Sequence, residues 1–241
     1  MFYVLRGCRL SQTEKERYSR HLILNGFGEE CQEKLKYSRV LVIGAGGLGC
    51  PVIQYLVAAG VGKIGIVDAD VVSLSNLQRQ ILYAEDEIGQ SKAKISAQKI
   101  SRLNSLVKIQ VYDKLLTDEL ADQLFTDYDV VIGCTDNYNS RYLIDTKSKQ
   151  FVIPFVHGSI HEFEGQFCVF NYRGSGSYTD LFGVQPSEPT GPIGVVGAIP
   201  GVIGSLMAME AIKIITGTGT VNANRLLIYN ALENSFNQFA I

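Results

Sequence analysis

Residues 40–49, VLVIGAGGLG, are an apolar run of strand length that ends in four glycines within six positions. Gly44, Gly46 and Gly49 form the pattern G-x-G-x-x-G, and residues 49–60 read as a helix that stops at Gly60. Between a strand and a helix, this pattern lets backbone N–H groups and the positive helix end approach phosphates. The alternative interpretation is that the glycines serve only tight strand-to-helix packing. The stretch therefore indicates nucleotide binding without proving it.

Asp68 strengthens the nucleotide interpretation. It closes the predicted strand 63–68, at the distance from the glycines where an acidic side chain accepts hydrogen bonds from ribose hydroxyls. A motif that serves packing alone does not require an acid at this place.

The remaining chain alternates apolar runs of strand length with helical periodicity. Strands are predicted at 39–43, 63–68, 107–112 and 129–136. One or two helices are predicted within 13–36, and further helices at 49–60, 91–104 and 117–125. This alternation predicts an α/β fold, a Rossmann-like, doubly wound and largely parallel sheet with helices on both faces. Later strands around a helix at 201–216 predict that antiparallel strands extend the sheet.

The whole chain, residues 1–241, is predicted to be one domain. Its parts are N-terminal helices (1–38), a nucleotide-binding core (39–170), a crossover loop (171–200), and a C-terminal helix with strands (201–241). Residues 171–198 are rich in Gly, Ser, Pro and Thr, and a structureless connection of that length is typical of a functional lid or crossover.

Composition excludes several classes of function. The 241 residues are 46% hydrophobic and carry a net charge of −2 with both signs interspersed, so neither nucleic acid nor a membrane surface is an expected partner. Five cysteines without a CxxC pair predict a reducing, cytoplasmic location. The uncharged stretch 194–209 is too short to cross a bilayer and contains Pro200, so it predicts a buried helix or a subunit interface.

Charged residues beyond Asp68 point to a triphosphate. Arg79 and Lys92 can neutralise phosphate charge, and Asp136 follows a parallel strand at the edge where such sheets bind ligands. A carboxylate beside phosphates is a good ligand for Mg²⁺. The alternatives are solvated surface charges at Arg79 and Lys92 and helix caps at Asn76 and Asn137.

Six motifs together resemble the ThiF/MoeB/HesA adenylyltransferases, the bacterial relatives of ubiquitin-activating enzymes. They are RYSRHLIL, GAGGLG, GVGKIGIVDADVVSLSNLQRQ, GQSKA, CTDN and GVIGSLMAMEAIK, and they run from residue 17 to about 216. The resemblance implies a cytoplasmic homodimer that uses ATP and Mg²⁺. It would adenylate the C-terminal glycine carboxylate of a small ubiquitin-like sulfur carrier ending in Gly-Gly, of the thiamine or molybdopterin type, and release pyrophosphate. A sulfur donor protein is a further implied partner.

The resemblance also implies roles for particular residues. Arg20, Arg79, Lys92 and Asp136 would be catalytic. Asp136 would bind Mg²⁺, and Arg20 would reach the site of the other subunit. The implied cofactor contacts are Gly44, Gly46, Gly47, Asp68, Asp70, Asn76, Arg79, Gln80, Lys92 and Asn137.

Two departures from the family pattern matter. Where many members carry CxxC pairs for zinc, this chain has SYTD at 177–180, so no zinc is expected. Where many members carry a crossover cysteine, it has EPTGPIGVVG at 188–197, so the product is expected to remain an acyl-adenylate. His157 and His161 are predicted to flank a turn and not to bind a metal.

Three hypotheses remain open at the level of sequence. The first is a sulfur-carrier adenylyltransferase. The second is a related enzyme that adenylates another carboxylate, such as a peptide or a small acid. The third is a nucleotide-binding pseudoenzyme or an NAD-dependent dehydrogenase, against which the combination of Arg79, Lys92 and Asp136 argues.

Overall fold

The computed structural model describes residues 9–188, 191 and 194–241. The strands in this part of the chain are β1 (Arg39–Ile43), β2 (Lys63–Val67), β3 (Lys108–Tyr112), β4 (Val130–Gly133), β5 (Phe155–His161), β6 (Glu164–Phe170), β7 (Arg225–Asn230) and β8 (Ser235–Ala240). The helices are α1 (Gln12–Arg17), α2 (Ser19–Leu22), α3 (Gly28–Tyr37), α4 (Gly49–Ala59), α5 (Lys92–Leu103), α6 (Asp118–Leu124), α7 (Tyr138–Phe151), α8 (Tyr178–Phe182) and α9 (Ala198–Thr216).

The strands form one sheet in the order β3-β2-β1-β4-β5-β6-β7-β8. The pairs from β3 to β5 are parallel, and the pairs from β5 to β8 are antiparallel. The chain passes from β1 outward to β2 and β3, and then returns to β4 on the other side of β1. The predicted fold class, a largely parallel doubly wound sheet extended by antiparallel strands, is confirmed.

Both faces of the sheet are covered by helices, as predicted. One buried cluster joins the sheet to α4, α5 and α9 through residues such as Leu56, Ile95 and Met207. The other joins it to α6, α7 and α8 through residues such as Leu124 and Ile144. Parallel strands buried on both faces consist of continuous apolar runs, which explains the sequences RVLVI and KIGIV.

Local signals in the sequence account for the helix boundaries near the glycine motif. Gly60 takes the left-handed conformation, with φ of +85°, and ends α4 where the sequence predicts its end. Ser91 begins α5 by accepting a hydrogen bond from the N–H of Lys94. These boundaries place the N-terminus of α4 directly after the glycines.

Helix α9 is long and apolar enough to resemble a membrane span by composition, with a mean hydropathy of 1.6. It packs against α4, β5 and β6, and 56% of its most apolar window is buried inside the fold. Its charged residues Glu210 and Lys213 form an ion pair at 2.6 Å. The prediction of a buried helix for this stretch agrees with the packing of α9.

The structure differs from the sequence-based expectations in three places. The N-terminal segment forms three helices rather than one or two, because the chain breaks at Tyr18 and at 23–27. Residues 171–198 are not structureless, since α8 lies within them. His157 lies inside β5, where Cys168 is its partner on β6, and only His161 adjoins the turn.

Some expectations fall outside the described residues. Cys8 and the rest of the N-terminal stretch 1–8 lie there, as do 189, 190, 192 and 193 of the crossover loop. That residues 1–241 form one domain, with the parts given above, stays a prediction.

Candidate active site

The ends of β1, β2 and β4 lie level at one edge of the sheet. Ile43, the last residue of β1, is aligned with Val67 on one side and with Gly133 on the other. The glycine loop 44–49, Asp68 and Asp136 therefore all follow strands at the carboxyl edge. The switch in strand order beside β1 is the place where open α/β sheets bind ligands.

Gly44 makes the turn from β1 into the glycine loop. Its φ is +96°, and a Cβ atom there would lie 2.5 Å from the carbonyl oxygen of Cys134. Only glycine combines this conformation with so close an approach of backbone. Gly44 also donates its N–H to the carbonyl of Val67 at 2.8 Å, which fixes the loop to the end of β2.

Two side chains hold the next residue of the loop, Ala45. Its N–H donates to Oδ2 of Asp68 at 2.6 Å, and its carbonyl accepts from the hydroxyl of Tyr83 at 2.7 Å. Burial raises the pKa of the Tyr83 hydroxyl, and its hydrogen bond with Oγ of Ser96, 2.9 Å away, opposes that rise. Tyr83 thus stays a neutral donor and holds the glycine loop in place through Ala45.

Asp68 lies half-buried between the glycine loop and the chain after β2. Burial raises the pKa of its carboxyl group, while hydrogen bonds from the N–H groups of Ala45 and Asp70 oppose that rise. Each carboxylate oxygen accepts one backbone N–H and keeps capacity for a second donor. The geometry suits the predicted contact with ribose hydroxyls.

Lys92 and Asp70 form an ion pair with a separation of 3.0 Å. The Lys92 side chain is 6% exposed, whereas that of Asp70 is 74% exposed. The backbone N–H of Lys92 also donates to the carbonyl of Asp70 at 2.9 Å. Asp70 therefore positions Lys92 at the start of α5. Phosphate oxygens would have to share the Lys92 ammonium group with the Asp70 carboxylate or displace that carboxylate from it.

The turn that carries Arg79 packs against the glycine loop. A Cβ atom at Gly47 would lie 3.6 Å from Cγ of Arg79, and one at Gly46 would lie 3.5 Å from Nε2 of Gln80. Arg79 donates to the carbonyl of Ser75 at 3.1 Å. The sequence-predicted residues Gly46, Gly47, Arg79 and Gln80 are therefore brought together.

Gln80 and Asn76 differ in what they offer this turn. The Gln80 side chain is buried, and its Oε1 has no hydrogen-bond partner among the described residues. It is an available acceptor beside the glycine loop. Asn76 acts through its backbone, because its carbonyl accepts the N–H groups of Arg79 and Gln80 at 3.1 and 2.9 Å and so shapes the turn.

Asp136 and Asn137 follow β4 on the other side of the glycine loop. Asp136 is exposed, and its carboxylate forms no hydrogen bond or ion pair within the described ranges. Asn137 caps α7, with its Oδ1 accepting the N–H of Ser140 at 2.8 Å. The cap interpretation of Asn137 is therefore observed, and its Nδ2 group and the second lone pair of Oδ1 remain available to a nucleotide.

Asp136 is suited to act as a ligand of Mg²⁺. Among the described residues no group of three or more His, Cys, Asp or Glu side chains could hold a metal. Mg²⁺ does not require such a cage, because it is commonly bound by one or two carboxylates together with substrate phosphates. Asp136 would hold the ion on the protein side.

Arg20 is not brought to this site within its own chain. It is exposed on α2, two residues after Tyr18, whose hydroxyl accepts from Nδ2 of Asn104 near Gly60. Gly60 follows the C-terminus of α4, and the glycine loop lies at the N-terminus of α4. The length of this 11-residue helix, about 16 Å, therefore lies between Arg20 and the candidate site. The structure is compatible with the predicted action of Arg20 in a neighbouring subunit, which stays a prediction.

Several side chains of the site left no local signal in the sequence. Tyr83 reaches Ala45 from far along the chain, and Arg141 donates from Nε and Nη2 to the carbonyl of Thr135 at 3.3 and 3.1 Å. Arg141 therefore holds the turn that carries Asp136. The Tyr83 contact depends on the tertiary fold, whereas the Arg141 contact is local and joins residues six apart, and neither follows from periodicity or spacing.

The segment SYTD, where many family members carry a zinc-binding CxxC, is closed by hydrogen bonds. Oγ of Ser177 accepts the N–H of Asp180 at 3.1 Å, and Oδ2 of Asp180 accepts the N–H of Ser177 at 2.8 Å. This capping box begins α8. The absence of zinc stays a prediction.

Comparison with protein families gives the site its context. A model of the ThiF family matches residues 18–241. The chain belongs to the ThiF family. The resemblance based on the six sequence motifs is thereby confirmed, and the family match includes every candidate site residue named above.

Related proteins are similar over nearly the whole of this chain. It is 42% identical over 244 residues to a sulfur carrier protein adenylyltransferase of Thermus thermophilus, covering 97% of this chain and 89% of the relative. It is 44% identical over 236 residues to a "Probable molybdopterin-synthase adenylyltransferase" of Porphyra purpurea, and 45% identical over 242 residues to the "Probable adenylyltransferase/sulfurtransferase MoeZ" of Mycobacterium tuberculosis. The last two matches each cover 96% of this chain. This chain spans 62% of the Porphyra purpurea relative and 61% of the Mycobacterium tuberculosis relative.

Solved structures share the fold of this ThiF-family chain. A crystal structure of PaaA superposes with a TM-score of 0.85 at 20% identity, covering 100% of this chain and 77% of that protein. A structure of Escherichia coli MccB with ATP gives a TM-score of 0.82 at 21% identity, covering 93% and 71%. At this level of identity the likeness establishes the fold alone.

Proposed function

We propose that this protein is an ATP-dependent adenylyltransferase. It transfers AMP to the C-terminal glycine carboxylate of a small ubiquitin-like sulfur-carrier protein and releases pyrophosphate. The observation that carries the proposal is the convergence of the glycine loop, Asp68, the Arg79 turn and Asp136 at one edge of the sheet, in a chain of the ThiF family. The names of the relatives favour a carrier of the molybdopterin or a related sulfur-delivery type over the thiamine type.

The reaction needs positioning and charge neutralisation more than proton transfer. An oxygen of the carrier carboxylate forms a bond to the α-phosphorus of ATP, and the bond from that phosphorus to the bridging oxygen of pyrophosphate breaks. The carboxylate is already ionised at neutral pH, so no general base is required. The obstacle is the approach of one anion to another, which fixed cations reduce.

The residues of the site would divide this work. N–H groups of the glycine loop and the N-terminus of α4 would receive phosphates, and Asp68 would hold the ribose. Arg79 and Lys92 would neutralise phosphate charge, for which each must leave its present partner, the carbonyl of Ser75 or the carboxylate of Asp70. Asp136 would hold Mg²⁺, which when bound neutralises charge on the phosphates.

We also propose that the protein acts as a homodimer in which Arg20 completes the neighbouring site. An apolar groove of about 620 Å³ between α4 and α9 supports this proposal. It is lined in part by Tyr55 and Ile81, which are 56% and 65% exposed. Ile81 is close in sequence to Arg79, so a second copy seated on this face would lie near the candidate site.

A cytoplasmic location and the absence of zinc are part of the same proposal. The four cysteines within the described ranges are buried and unpaired, and burial raises the pKa of Cys50 and Cys168 to about 12. Buried, protonated thiols are compatible with a reducing compartment. Ser177 and Asp180 bond to each other at the place of a CxxC, which supports a structure that needs no metal there.

A second candidate is adenylation of a different carboxylate, such as that of a peptide. It is favoured by the crossover loop 171–200, which contains no cysteine for a covalent step with the carrier. The same site would serve, because the chemistry at the α-phosphorus is unchanged.

Exchange of radioactive pyrophosphate into ATP tests the proposal. The protein should catalyse exchange with a ubiquitin-like sulfur carrier of the same organism that ends in Gly-Gly, and not with that carrier after removal of both glycines. Exchange supported only by a peptide or small acid would select the second candidate. No exchange with any acceptor, together with tight binding of NAD, would contradict both.

A further inference from the structure

Helix α2 carries Arg20 between two side chains that pack into the fold. Arg20 is exposed, whereas Tyr18, two residues before it, is buried, and His21, directly after it, is half-buried. The His21 ring packs beside those of Tyr18 and Phe27, with centroid separations of 6.3 and 5.3 Å. The motif RYSRHLIL thus makes intramolecular contacts on both sides of the arginine.

A buried amide joins Tyr18 to the C-terminal end of α4. Nδ2 of Asn104 donates to the Tyr18 hydroxyl and to the carbonyl of Val57, each at 2.9 Å. Val57 lies in the last turn of α4, where carbonyl groups lack partners further along the helix. Asn104 is fully buried, so Tyr18 is held to α4 by hydrogen bonds that are shielded from water.

A second buried amide joins His21 to the same end of α4. Nε2 of Gln32 donates at 2.8 Å to the carbonyl of Ala59, the last residue of that helix. Oε1 of Gln32 lies 2.8 Å from Nδ1 of His21. Gln32 is fully buried as well. The side chains on both sides of Arg20 are therefore attached to one helix end through amide bridges.

The bridge through Gln32 determines which nitrogen of His21 carries a proton. The Ala59 carbonyl can only accept, so the amide nitrogen of Gln32 must face it and the amide oxygen must face the imidazole. An amide oxygen can also only accept, so the contact with Nδ1 requires a proton on Nδ1. The neutral imidazole of His21 is therefore the Nδ1–H tautomer.

These contacts hold Arg20 away from the site of its own chain. Both bridges end at the C-terminal end of α4, whereas the glycine loop lies at the N-terminus of that helix. Helix α2 has only four residues and is too short to keep its direction without tertiary contacts. With Tyr18 and His21 packed inward, the Arg20 side chain is left on the exposed side of α2.

We infer that His21, as the Nδ1–H tautomer, is a positioning residue for Arg20. Its hydrogen bond to Gln32 fixes the direction in which α2 presents the guanidinium group to a second subunit. The inference rests on the proposed function, which assigns Arg20 to the neighbouring site. His21 acts through Arg20 and has no contact with the reacting atoms.

Nitrogen-15 NMR of the imidazole groups tests the geometry without any substrate. At about pH 8.5, where free histidine is neutral, the chemical shifts of His21 should be those of the Nδ1–H tautomer. His21→Asn, which lacks the ring, identifies the signal by its disappearance. An Nε2–H tautomer, or tautomers in rapid exchange, would contradict the bond to Gln32 and overturn the inference.

Two substitutions of nearly the same shape test the consequence for activity. Asn places an amide nitrogen where His21 has Nδ1 and can keep the bond to Gln32, whereas Leu offers no donor. His21→Leu should lower the rate of pyrophosphate exchange about tenfold, and His21→Asn should stay within about threefold of the wild type. His161→Leu, at the exposed end of β5, is the control and should exchange at the wild-type rate. Thermal melting checks that each variant folds.

Mixtures of variants separate positioning in the neighbouring subunit from damage within one chain. After subunit exchange, His21→Leu with Asp136→Ala should become about fivefold more active, because half of the dimers then contain one complete site. His21→Leu with Arg20→Ala should gain nothing, since both variants lack a well-placed Arg20.

The reverse pattern in the mixtures would make His21 a structural residue of its own site and overturn the inference. Equal exchange rates in His21→Leu and the wild type would overturn it as well. Failure of the proposed function would be seen separately, as a wild-type protein that exchanges pyrophosphate with no carrier while its NMR signals still report the Nδ1–H tautomer.

Discussion

At Gly44 one backbone angle and one close approach decide the shape of the nucleotide loop. A side chain there would meet the carbonyl of Cys134 and would need a φ that L residues rarely adopt. Gly46 differs, since a Cβ atom there would meet only Nε2 of Gln80, at 3.5 Å, an ordinary contact. The backbone therefore requires a glycine at position 44, whereas a Cβ atom at position 46 has room.

This difference predicts separate effects on stability. Gly44→Ala should lower the free energy of unfolding by about 2–4 kcal/mol, from left-handed strain and overpacking together. Gly46→Ala is the matched control and should change it by less than about 1 kcal/mol. Denaturation by urea measures both, and equal losses in the two variants would contradict the assignment of strain to Gly44.

At the residue scale, the proposed function assigns catalytic roles to Asp136 and Arg79. Asp136→Ala and Arg79→Ala should each abolish adenylate formation through the loss of about 3 kcal/mol or more of transition-state stabilisation, while the fold stays intact. Pyrophosphate exchange measures the rate, and circular dichroism checks the fold. Wild-type rates in either variant would refute these assignments.

At the scale of elements, signals local to the sequence predicted most of the architecture. Strand β1 and the end of α4 at Gly60 lie where the apolar run and the glycine placed them. The cap at Asn137 was one of the alternatives that the sequence offered, whereas the short helix α8 within the crossover loop was not predicted. The attachment of residues 171–188 to α7 was not predicted either, because it depends on contacts between distant residues. The bond from Glu188 to Asn139, for example, joins residues far apart in sequence and leaves no periodic pattern.

The aromatic cluster around His157 joins β5, β6 and α8. The imidazole is fully buried, and its ring centroid lies 4.9 Å from that of Tyr178 and 6.0 Å from those of Phe170 and Phe182. Neither ring nitrogen has a hydrogen-bond partner among the described residues. Burial first, and then the nearby Arg141 guanidinium, hold the pKa of His157 well below its ordinary value.

A dependence of stability on pH follows from this cluster. Below about pH 6.5 the unfolded chain binds a proton at His157 that the folded chain excludes. This group should therefore lower the free energy of unfolding by up to about 1.4 kcal/mol for each unit by which the pH decreases. His157→Leu should remove this part of the slope. His161→Leu, on the exposed end of the same strand, should retain it.

Urea denaturation at pH 7.5, 6.5 and 5.5 measures the slope in the three proteins. An equal decline in the wild type and in His157→Leu would show that the imidazole does not contribute.

For the whole molecule, the strand order explains why one edge carries the candidate site. The switch beside β1 opens the carboxyl edge between β1 and β4, and loops from both halves of the parallel sheet meet there. The sequence predicted this edge from alternation alone. The family resemblance predicted that Arg20 reaches the site of another subunit, and within one chain α4 lies between Arg20 and the glycine loop.

The proposed homodimer predicts complementation between two inactive variants. Arg20→Ala retains its own Asp136, and Asp136→Ala retains its own Arg20, so a mixed dimer would contain one complete site. Equal mixtures that exchange subunits should therefore recover about one quarter of wild-type activity, since half of the dimers are mixed and one of their two sites is complete. A mixture as inactive as the separate variants would contradict action between subunits.

The most direct test of the central claim is a crystal structure of the protein with Mg²⁺ and an ATP analogue that cannot be cleaved between the α- and β-phosphates. The account predicts the phosphates against the N–H groups of residues 44–49, with Arg79 and Lys92 turned toward them and Asp136 on the metal ion. A triphosphate bound elsewhere, or all three side chains turned away from it, would contradict the account.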